Sequence, residues 1–207
     1  ALSQREREKV GKLSQSEREQ FGMFPGVRGD IVKDTEYFLV VSRLSKMTAY
    51  KRVDLAIKAA NKLKVPLKII GTGRDLKYYQ KMAGPTVEFV GKVTDEELSA
   101  YYKNAAALIF PGNEDFGLVM VEAQMHGKPV IAYRAGGATE IIQEGKTGEF
   151  FDKQTVTSLT EKLAIFDKSR YNSKYCINNA RRFSEETFAR NFLAFFKLKV
   201  NEHKLYS

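Results

Sequence analysis

Residues 107–133 read ALIFPGNEDFGLVMVEAQMHGKPVIAY, and this stretch sets the pattern from which we infer the fold. Ala107–Phe110 is a short apolar run typical of a buried strand, and Pro111-Gly112 is a turn signal. A helix is predicted over Gly117–His126, followed by a second apolar strand at Pro129–Tyr133. Apolar strands separated by a helix indicate parallel strands that are covered on both faces.

The same alternation extends over most of the chain. Further candidate strands are Tyr37–Ser42, Leu67–Ile70, Val87–Val90 and Glu149–Phe151. Further candidate helices are Arg52–Lys64, Asp75–Met82, Asp95–Asn104, Thr155–Asp167, Ser169–Phe183 and Glu185–Lys204. Thr94 and Glu97 have the spacing of a capping box, and Ser184 is the expected N-cap of the last helix. The sequence therefore predicts an α/β fold, with a Rossmann-like parallel sheet flanked by helices and followed by C-terminal helices.

Length and composition favour one large domain. The chain has 207 residues, of which 43% are hydrophobic, as in a globular protein. Residues 1–30 are mostly polar and are predicted to form a lead or linker, so the domain is assigned to residues 31–207. Cys176 is the only cysteine and cannot form an internal disulfide. A reduced, cytoplasmic compartment is therefore expected.

The net charge of +9 favours anionic partners. From Lys153 onward there are 11 Lys and Arg residues against 5 Asp and Glu residues. This surplus is explained either by a solvated helical surface or by a peripheral contact with the inner face of the membrane. No nucleic-acid-binding motif accompanies the charge, so nucleic acid is not an expected partner. No apolar run is long enough for a membrane-spanning helix.

Two glycine motifs fail to match common nucleotide-binding sites. Gly71-Thr72-Gly73 follows a strand, but position 76, where a dinucleotide fingerprint needs glycine, is Leu76. Gly145-Lys146-Thr147 is similar to the end of a phosphate loop, but the upstream glycine position is Glu140. Neither a Rossmann dehydrogenase nor a P-loop ATPase is supported.

The start of the helix after Phe110 has the features of a diphosphate site. In an open parallel sheet, ligands bind beyond the carboxyl ends of the strands. The amides of Gly117, Leu118 and Val119 would point at such a ligand, and the helix dipole would favour its charge. Glycine at 117 would allow close approach. Glu114 before the helix and Glu122 within it could accept hydrogen bonds from ligand hydroxyls, or could simply be solvated.

A second candidate cluster follows the first strand. Ser42-Arg43-Leu44 and Lys51-Arg52 place cations at the same predicted edge of the sheet. A guanidinium binds phosphate through paired hydrogen bonds, and an ammonium binds it as a compact charge. The alternative is a surface loop that happens to be basic.

These segments together resemble the C-terminal, donor-binding domain of GT-B glycosyltransferases, specifically the retaining family 4 (group 1). The resemblance covers about residues 37–200. It rests on Val41-Ser42-Arg43-Leu44, Ile69-Ile70-Gly71-Thr72-Gly73, Val87-Glu88-Phe89-Val90-Gly91, Glu114 and Glu122 with Ala123, Gly127-Lys128-Pro129-Val130-Ile131-Ala132 and Gly136-Gly137-Ala138-Thr139-Glu140.

The resemblance implies a role for each residue of the site. Arg43 and Lys51 would bind the diphosphate and stabilise the leaving charge, and Glu114 would hold hydroxyls of the donor sugar. Glu122 would hold the ribose diol. Further donor-binding residues would be Gly71, Gly73, Val90, Lys92, Gly117, Leu118, Val119, Gly136 and Gly137. Catalysis would consist of charge stabilisation and positioning, with no metal and no cofactor.

The resemblance also implies a donor and an acceptor. Lys51-Arg52-Val53-Asp54 is similar to mannosyltransferases of polysaccharide assembly, so GDP-mannose is the expected donor. The acceptor, a glycan or glycolipid, would bind to an N-terminal domain that this chain lacks. The chain would then be a fragment or one subunit of a split enzyme, and by itself would bind the donor without transferring sugar. Alternatives are half of a sugar-nucleotide epimerase and a non-catalytic sugar-nucleotide-binding subunit.

Overall fold

The computed structural model describes residues 36–205. The strands are β1 (Tyr37–Val41), β2 (Leu67–Ile70), β3 (Val87–Gly91), β4 (Ala105–Phe110), β5 (Val130–Tyr133) and β6 (Gly148–Phe151). All pair in parallel in one sheet with the order β3-β2-β1-β4-β5-β6. The order reverses between β1 and β4, and this switch point is where an open sheet forms a ligand crevice. The predicted fold class is confirmed.

Eight α-helices lie within the described residues. They are α1 (Val53–Leu63), α2 (Leu76–Met82), α3 (Asp95–Asn104), α4 (Leu118–Met125), α5 (Ala138–Ile141), α6 (Val156–Ala164), α7 (Ser173–Ala180) and α8 (Glu185–Leu205). Short 3-10 helices span Lys46–Lys51, Lys168–Arg170 and Arg181–Phe183. The predicted lead, residues 1–30, lies outside the described part of the chain, so the division into lead and domain stays a prediction.

Two layers of helices cover the two faces of the sheet, as the apolar strands predicted. Successive residues of a strand point to opposite faces. Leu108 packs in the cluster that includes Met120 of α4, while its neighbour Ile109 packs in the cluster that includes Ile57 of α1. The sheet is therefore rigidly held from both sides, and the loops at its carboxyl edge have a fixed base.

The start of α3 confirms the predicted capping box. The amide of Glu97 donates to Oγ1 of Thr94 over 3.2 Å, and the amide of Thr94 donates to Oε2 of Glu97 over 2.8 Å. Two amides that would otherwise lack acceptors are satisfied in this way. Ser184 likewise caps α8 by accepting from the amide of Thr187 over 3.2 Å.

The predicted helix Ser169–Phe183 is wrong as a continuous element. The chain is extended at Tyr171 and Asn172, and a new helix begins because the Asn172 side chain accepts from the amide of Lys174 over 2.8 Å. The Tyr171 hydroxyl donates to Oε1 of Glu149 over 2.5 Å, which holds the break against β6. The preceding predicted helix also stops early, at Ala164, and α5 was not predicted at all.

None of the helices between residues 36 and 205 combines the length and the apolar content needed to span a bilayer.

Candidate functional site

Two of the predicted site residues meet at the switch point of the sheet. Lys51 ends the 3-10 helix after β1, and Glu114 lies in the loop after β4. The Lys51 Nζ atom lies 2.7 Å from Oε1 of Glu114, and both side chains are about one-fifth exposed. The sequence placed both residues at this edge, but it did not predict that they form an ion pair.

The loops that carry this pair are locked together through their backbones. A Cβ atom on Gly112 would lie 2.9 Å from Cα of Lys51, so a larger residue would push the loops apart. The amide of Asn113 donates to the carbonyl of Tyr50 over 3.3 Å. Lys51 and Glu114 are therefore brought together by backbone packing as well as by their charges.

Arg52 has a structural role beside the site, because its side chain contacts other side chains of the protein. It begins α1 in the left-handed conformation, with φ of 49°, and its guanidinium pairs with Asp54. The same guanidinium donates to the side chain of Gln154, whose own amide donates to the carbonyl of Pro111 over 2.9 Å. Arg52 thus links the loop after β1 to the loop after β4.

Arg43 is exposed, although Leu44 and Ser45, which follow it in the loop, are buried. A Cβ atom on Gly71 would lie 2.0 Å from the carbonyl oxygen of Ser42, and one on Gly73 would lie 2.0 Å from that of Leu44. These two glycines let the loop after β2 press against the residues on either side of Arg43.

The first turn of α4 is held in place by Gly117. This residue has φ of +83°, in the left-handed region that favours glycine. A Cβ atom here would lie 2.6 Å from Cε of Met120 and 2.9 Å from Cζ of Phe110. The glycine is therefore required by the fold itself, a reason that the sequence prediction of close ligand approach did not include. The amides of residues 117–119 lie in this turn, where helix geometry provides no acceptor for them.

Gly136 and Gly137 pack against the backbone of the loop that carries Glu114. A Cβ atom on Gly136 would lie 2.3 Å from the carbonyl oxygen of Glu114. The amide of Gly137 donates to that same oxygen over 2.9 Å. The loops after β4 and β5 thus form one wall, with the Glu114 carboxylate turned toward Lys51.

Glu122 is half-buried against α3. The hydroxyl of Tyr102 donates to its Oε2 atom over 2.8 Å. His126 packs in the same place: its ring stacks on that of Tyr102, and its Nε2 atom lies 2.9 Å from Oγ of Ser99. His126 is therefore a packing residue at the end of α4. The structure gives Glu122 a partner that the sequence did not predict.

The two remaining predicted residues belong to the end of β3. Val90 is half-buried and packs against the core, so only its backbone could face a ligand. Lys92 is exposed and follows β3, which is the edge strand and lies two places from β1. The structure thus places Lys92 away from the Lys51–Glu114 pair.

Cys176 is fully buried, and this burial raises the pKa of its thiol to about 11. A buried thiol with a raised pKa is a poor nucleophile. Among residues 36–205, no three His, Cys, Asp or Glu side chains are grouped so that they could hold a metal ion.

A known family matches this site and its sheet. The model of the family described as Glycosyl transferases group 1 matches residues 28–183, which include all six strands and the loops described above. The chain belongs to this family.

Curated relatives of this group 1 chain include a GDP-mannose-dependent alpha-mannosyltransferase of Corynebacterium glutamicum. It is 32% identical over 142 residues, which are 66% of this chain and 33% of the relative. The sulfoquinovosyl transferase of Arabidopsis thaliana is 33% identical over 130 residues, 60% of this chain and 26% of the relative. The chain thus spans between about a quarter and a third of the length of these relatives.

Solved structures share the fold. A lipopolysaccharide outer core galactosyltransferase in its apo form aligns with a TM-score of 0.70 at 22% identity, covering 82% of this chain and 51% of that one. Sucrose-phosphate synthase from Thermosynechococcus elongatus aligns with a TM-score of 0.68 at 24% identity, covering 89% and 48%. The group 1 chain therefore has the Rossmann-like architecture found in about half of a GT-B glycosyltransferase.

Sequence reasoning on this group 1 domain missed Tyr102 and Gln154. Tyr102 occurs in an ordinary amphipathic helix, and Gln154 follows β6 with no motif around it. A buried hydroxyl must find a partner, so an aromatic residue with a polar tip on the core face of α3 was the available signal for Tyr102. Nothing in the local sequence indicates the bridge made by Gln154.

Proposed function

We propose that this chain is the donor-binding half of a retaining family 4 glycosyltransferase, and that it binds a nucleotide sugar at the switch point between β1 and β4. The observation that carries the proposal is the Lys51–Glu114 pair beside the first turn of α4. A cation, a carboxylate and helix-terminal amides are what a sugar diphosphate requires: two donors for phosphate and one acceptor for hydroxyls.

Lys51 can bind a phosphate without leaving Glu114. An ammonium group has three donors, and one of them is used by Oε1 of Glu114. The carboxylate keeps further lone pairs for sugar hydroxyls. Arg43 adds an exposed guanidinium at the same edge. In the proposed reaction these cations stabilise the departing nucleoside diphosphate, so we assign no metal and no cofactor to the step.

We propose GDP-mannose as the donor. The support comes from relatives, since both the corynebacterial protein and one from Mycolicibacterium smegmatis, 34% identical over 139 residues, are named as GDP-mannose-dependent. The segment Lys51-Arg52-Val53-Asp54 is weaker support for this donor than its sequence indicated. Arg52 and Asp54 form an ion pair with each other, so their contact has a structural role. A solved neighbour from Anabaena was crystallised with UDP and glucose, so UDP is the competing nucleotide.

The acceptor side of the reaction is proposed to belong to the rest of a longer protein. A glycan or glycolipid would bind to an N-terminal domain, and this chain alone would bind the donor without transferring sugar. We expect a cytoplasmic protein. Its basic C-terminal helices, in a chain of net charge +9, form a solvated surface, and a peripheral contact with the inner face of the membrane is the alternative.

Calorimetric titration of the chain with GDP, UDP and GMP tests the proposal. GDP should bind at least about tenfold more tightly than GMP, because the second phosphate gains a charge-assisted hydrogen bond. GDP should also bind more tightly than UDP. Equal affinity for GDP and GMP would contradict the proposed diphosphate site. A preference for UDP would contradict only the choice of GDP-mannose as the donor.

A matched control is available at the same edge of the sheet. Arg134 follows β5, but its guanidinium is already held by Glu144 over 2.7 Å and by Asp152 over 2.5 Å. Arg134→Ala should therefore leave GDP binding unchanged. A loss of binding in this variant would indicate that any arginine at this edge matters through charge alone.

A further inference from the structure

Glu122 is oriented by a side chain from a neighbouring helix. Tyr102 of α3 is 1% exposed, and its hydroxyl donates to Oε2 of Glu122 over 2.8 Å. The carbonyl of Val119 is a more distant acceptor, at 3.5 Å. The phenol therefore donates its single hydroxyl proton to Glu122, the carboxylate that would bind the ribose in the proposed site.

We propose that Tyr102 is a positioning residue that holds the Glu122 carboxylate in the orientation that binds the ribose diol. The inference rests on the proposed nucleotide site and deepens it. A carboxylate offers about four lone-pair positions, and Tyr102 occupies one, so acceptors remain for two ribose hydroxyls. Because Glu122 is already ordered, a nucleotide does not lose binding energy in ordering it.

The tyrosine is itself held in place. The ring of His126 stacks on that of Tyr102, with 5.1 Å between centroids and 18° between planes. His126 is fixed at both nitrogens, by the carbonyl of Glu122 at 2.8 Å and by Oγ of Ser99 at 2.9 Å. Burial, together with the charge of Glu122, raises the pKa of the Tyr102 phenol, so it remains a donor at neutral pH.

Titration with GDP and with 2′-deoxy-GDP separates positioning from general stability. The unmodified chain should prefer GDP, because 2′-deoxy-GDP lacks one hydroxyl for Glu122. Tyr102→Phe removes one oxygen and keeps the stacked ring, so the variant should fold. It should weaken GDP binding by about tenfold and the binding of 2′-deoxy-GDP, which keeps only the 3′-hydroxyl for Glu122, by less, so that the preference for GDP narrows. Adding Tyr102→Phe to Glu122→Gln should cause no further loss.

Two controls on α3 make the result specific. Tyr101→Phe removes a neighbouring phenol, and Asn104→Ala removes a hydrogen bond to the carbonyl of Ala100 within α3 that involves neither Glu122 nor Tyr102. Neither should change the preference for GDP. If Tyr102→Phe weakens both nucleotides equally, or if Asn104→Ala reproduces its effect, the residue is structural and the inference is wrong.

The same titrations distinguish failure of the inference from failure of the proposed function. If Glu122→Gln abolishes the preference for GDP and Tyr102→Phe preserves it, Glu122 binds ribose without help from Tyr102. This result would contradict only the positioning role of Tyr102. If Glu122→Gln itself leaves the preference intact, ribose does not bind at Glu122. This result would also contradict the orientation of the nucleotide in the proposed site.

Discussion

Lys51 and Glu114 approach to 2.7 Å although 63 positions separate them in the chain. Both side chains are only partly buried, and an ion pair of this kind contributes about 0–1 kcal/mol to stability. The pair therefore contributes little to the stability of the fold. Its two charges are held at the crevice at little energetic cost and are available to a ligand.

The cations should matter for binding and not for folding. Arg43→Ala and Lys51→Ala should each weaken GDP binding by about 1.5–3 kcal/mol, the contribution of a hydrogen bond to a charged group. The midpoint of thermal unfolding should change little. Calorimetry measures the loss of GDP binding, and thermal melts of the same samples measure the unfolding midpoint. Early unfolding with normal GDP binding would show that these residues are structural.

The two glutamates should separate the nucleotide from the sugar. Glu122→Gln should weaken GDP and GDP-mannose alike, because both contain the ribose. Glu114→Gln should spare GDP and weaken GDP-mannose by about 1.5–3 kcal/mol, because only the intact donor has the sugar hydroxyls. Titration of each variant with both ligands gives the answer. The reverse pattern would mean that the nucleotide lies in the opposite direction along the start of α4.

Single residues of the candidate site could be proposed from the sequence, but the side chains that contact them in the structure could not. Glu114 and Glu122 were found because a strand, a turn, a glycine and a helix follow in order along one segment. The contact of Glu122 with Tyr102 depends on how α3 and α4 rotate against each other, and that rotation is decided by packing in the core. Sequence spacing does not contain this information.

Elements were predicted most accurately where the chain carries its own start and stop signals. The bounds Asp95–Asn104 for α3 agree with the structure because Thr94 and Glu97 define the first turn. The start of β4 was placed two residues late, at Ala107, since Ala105 and Ala106 have low β-propensity and follow α3 with no loop between them. The break at Tyr171 was missed because it is held by a contact with distant Glu149.

The capping box of α3 should stabilise the element that carries Tyr102. Thr94→Ala removes the side-chain acceptor of the Glu97 amide, and the free energy of unfolding should fall by about 1 kcal/mol. Urea titration measures the change. Thr157→Ala, at an exposed position inside α6, is the matched control and should have almost no effect. Equal losses in both variants would contradict a specific role of the cap.

At the scale of the whole domain, the most unusual surface is the aromatic face of α8. Phe188, Phe192 and Phe195 are more than half exposed, and with Phe116 and Phe183 they line a cavity of about 570 Å³. Phe116 belongs to the loop that carries Glu114, so this apolar surface reaches the edge of the candidate site. Apolar patches of this kind on a protein surface indicate a binding surface.

The isolated chain should therefore bind an environment-sensitive hydrophobic dye such as anilinonaphthalene sulfonate while folded. Phe192→Ser should lower the dye fluorescence several-fold by opening the patch to water. Tyr175→Ser is the matched control, since Tyr175 is 59% exposed and Phe192 53% exposed, and Tyr175 does not line the cavity. Comparable losses in the two variants would mean that the dye does not report on this surface.

The strand order also has a consequence for how the chain folds. β1, β2 and β3 can pair as they emerge along the chain, and so can β4, β5 and β6. The central pairing of β1 with β4 must instead close a loop formed by residues 42–104. Contacts between distant parts of a chain form late, because loop closure costs entropy before any contact compensates it. The crevice lies on this central seam, so we expect it to be assembled in the last kinetic step, after both halves of the sheet have formed.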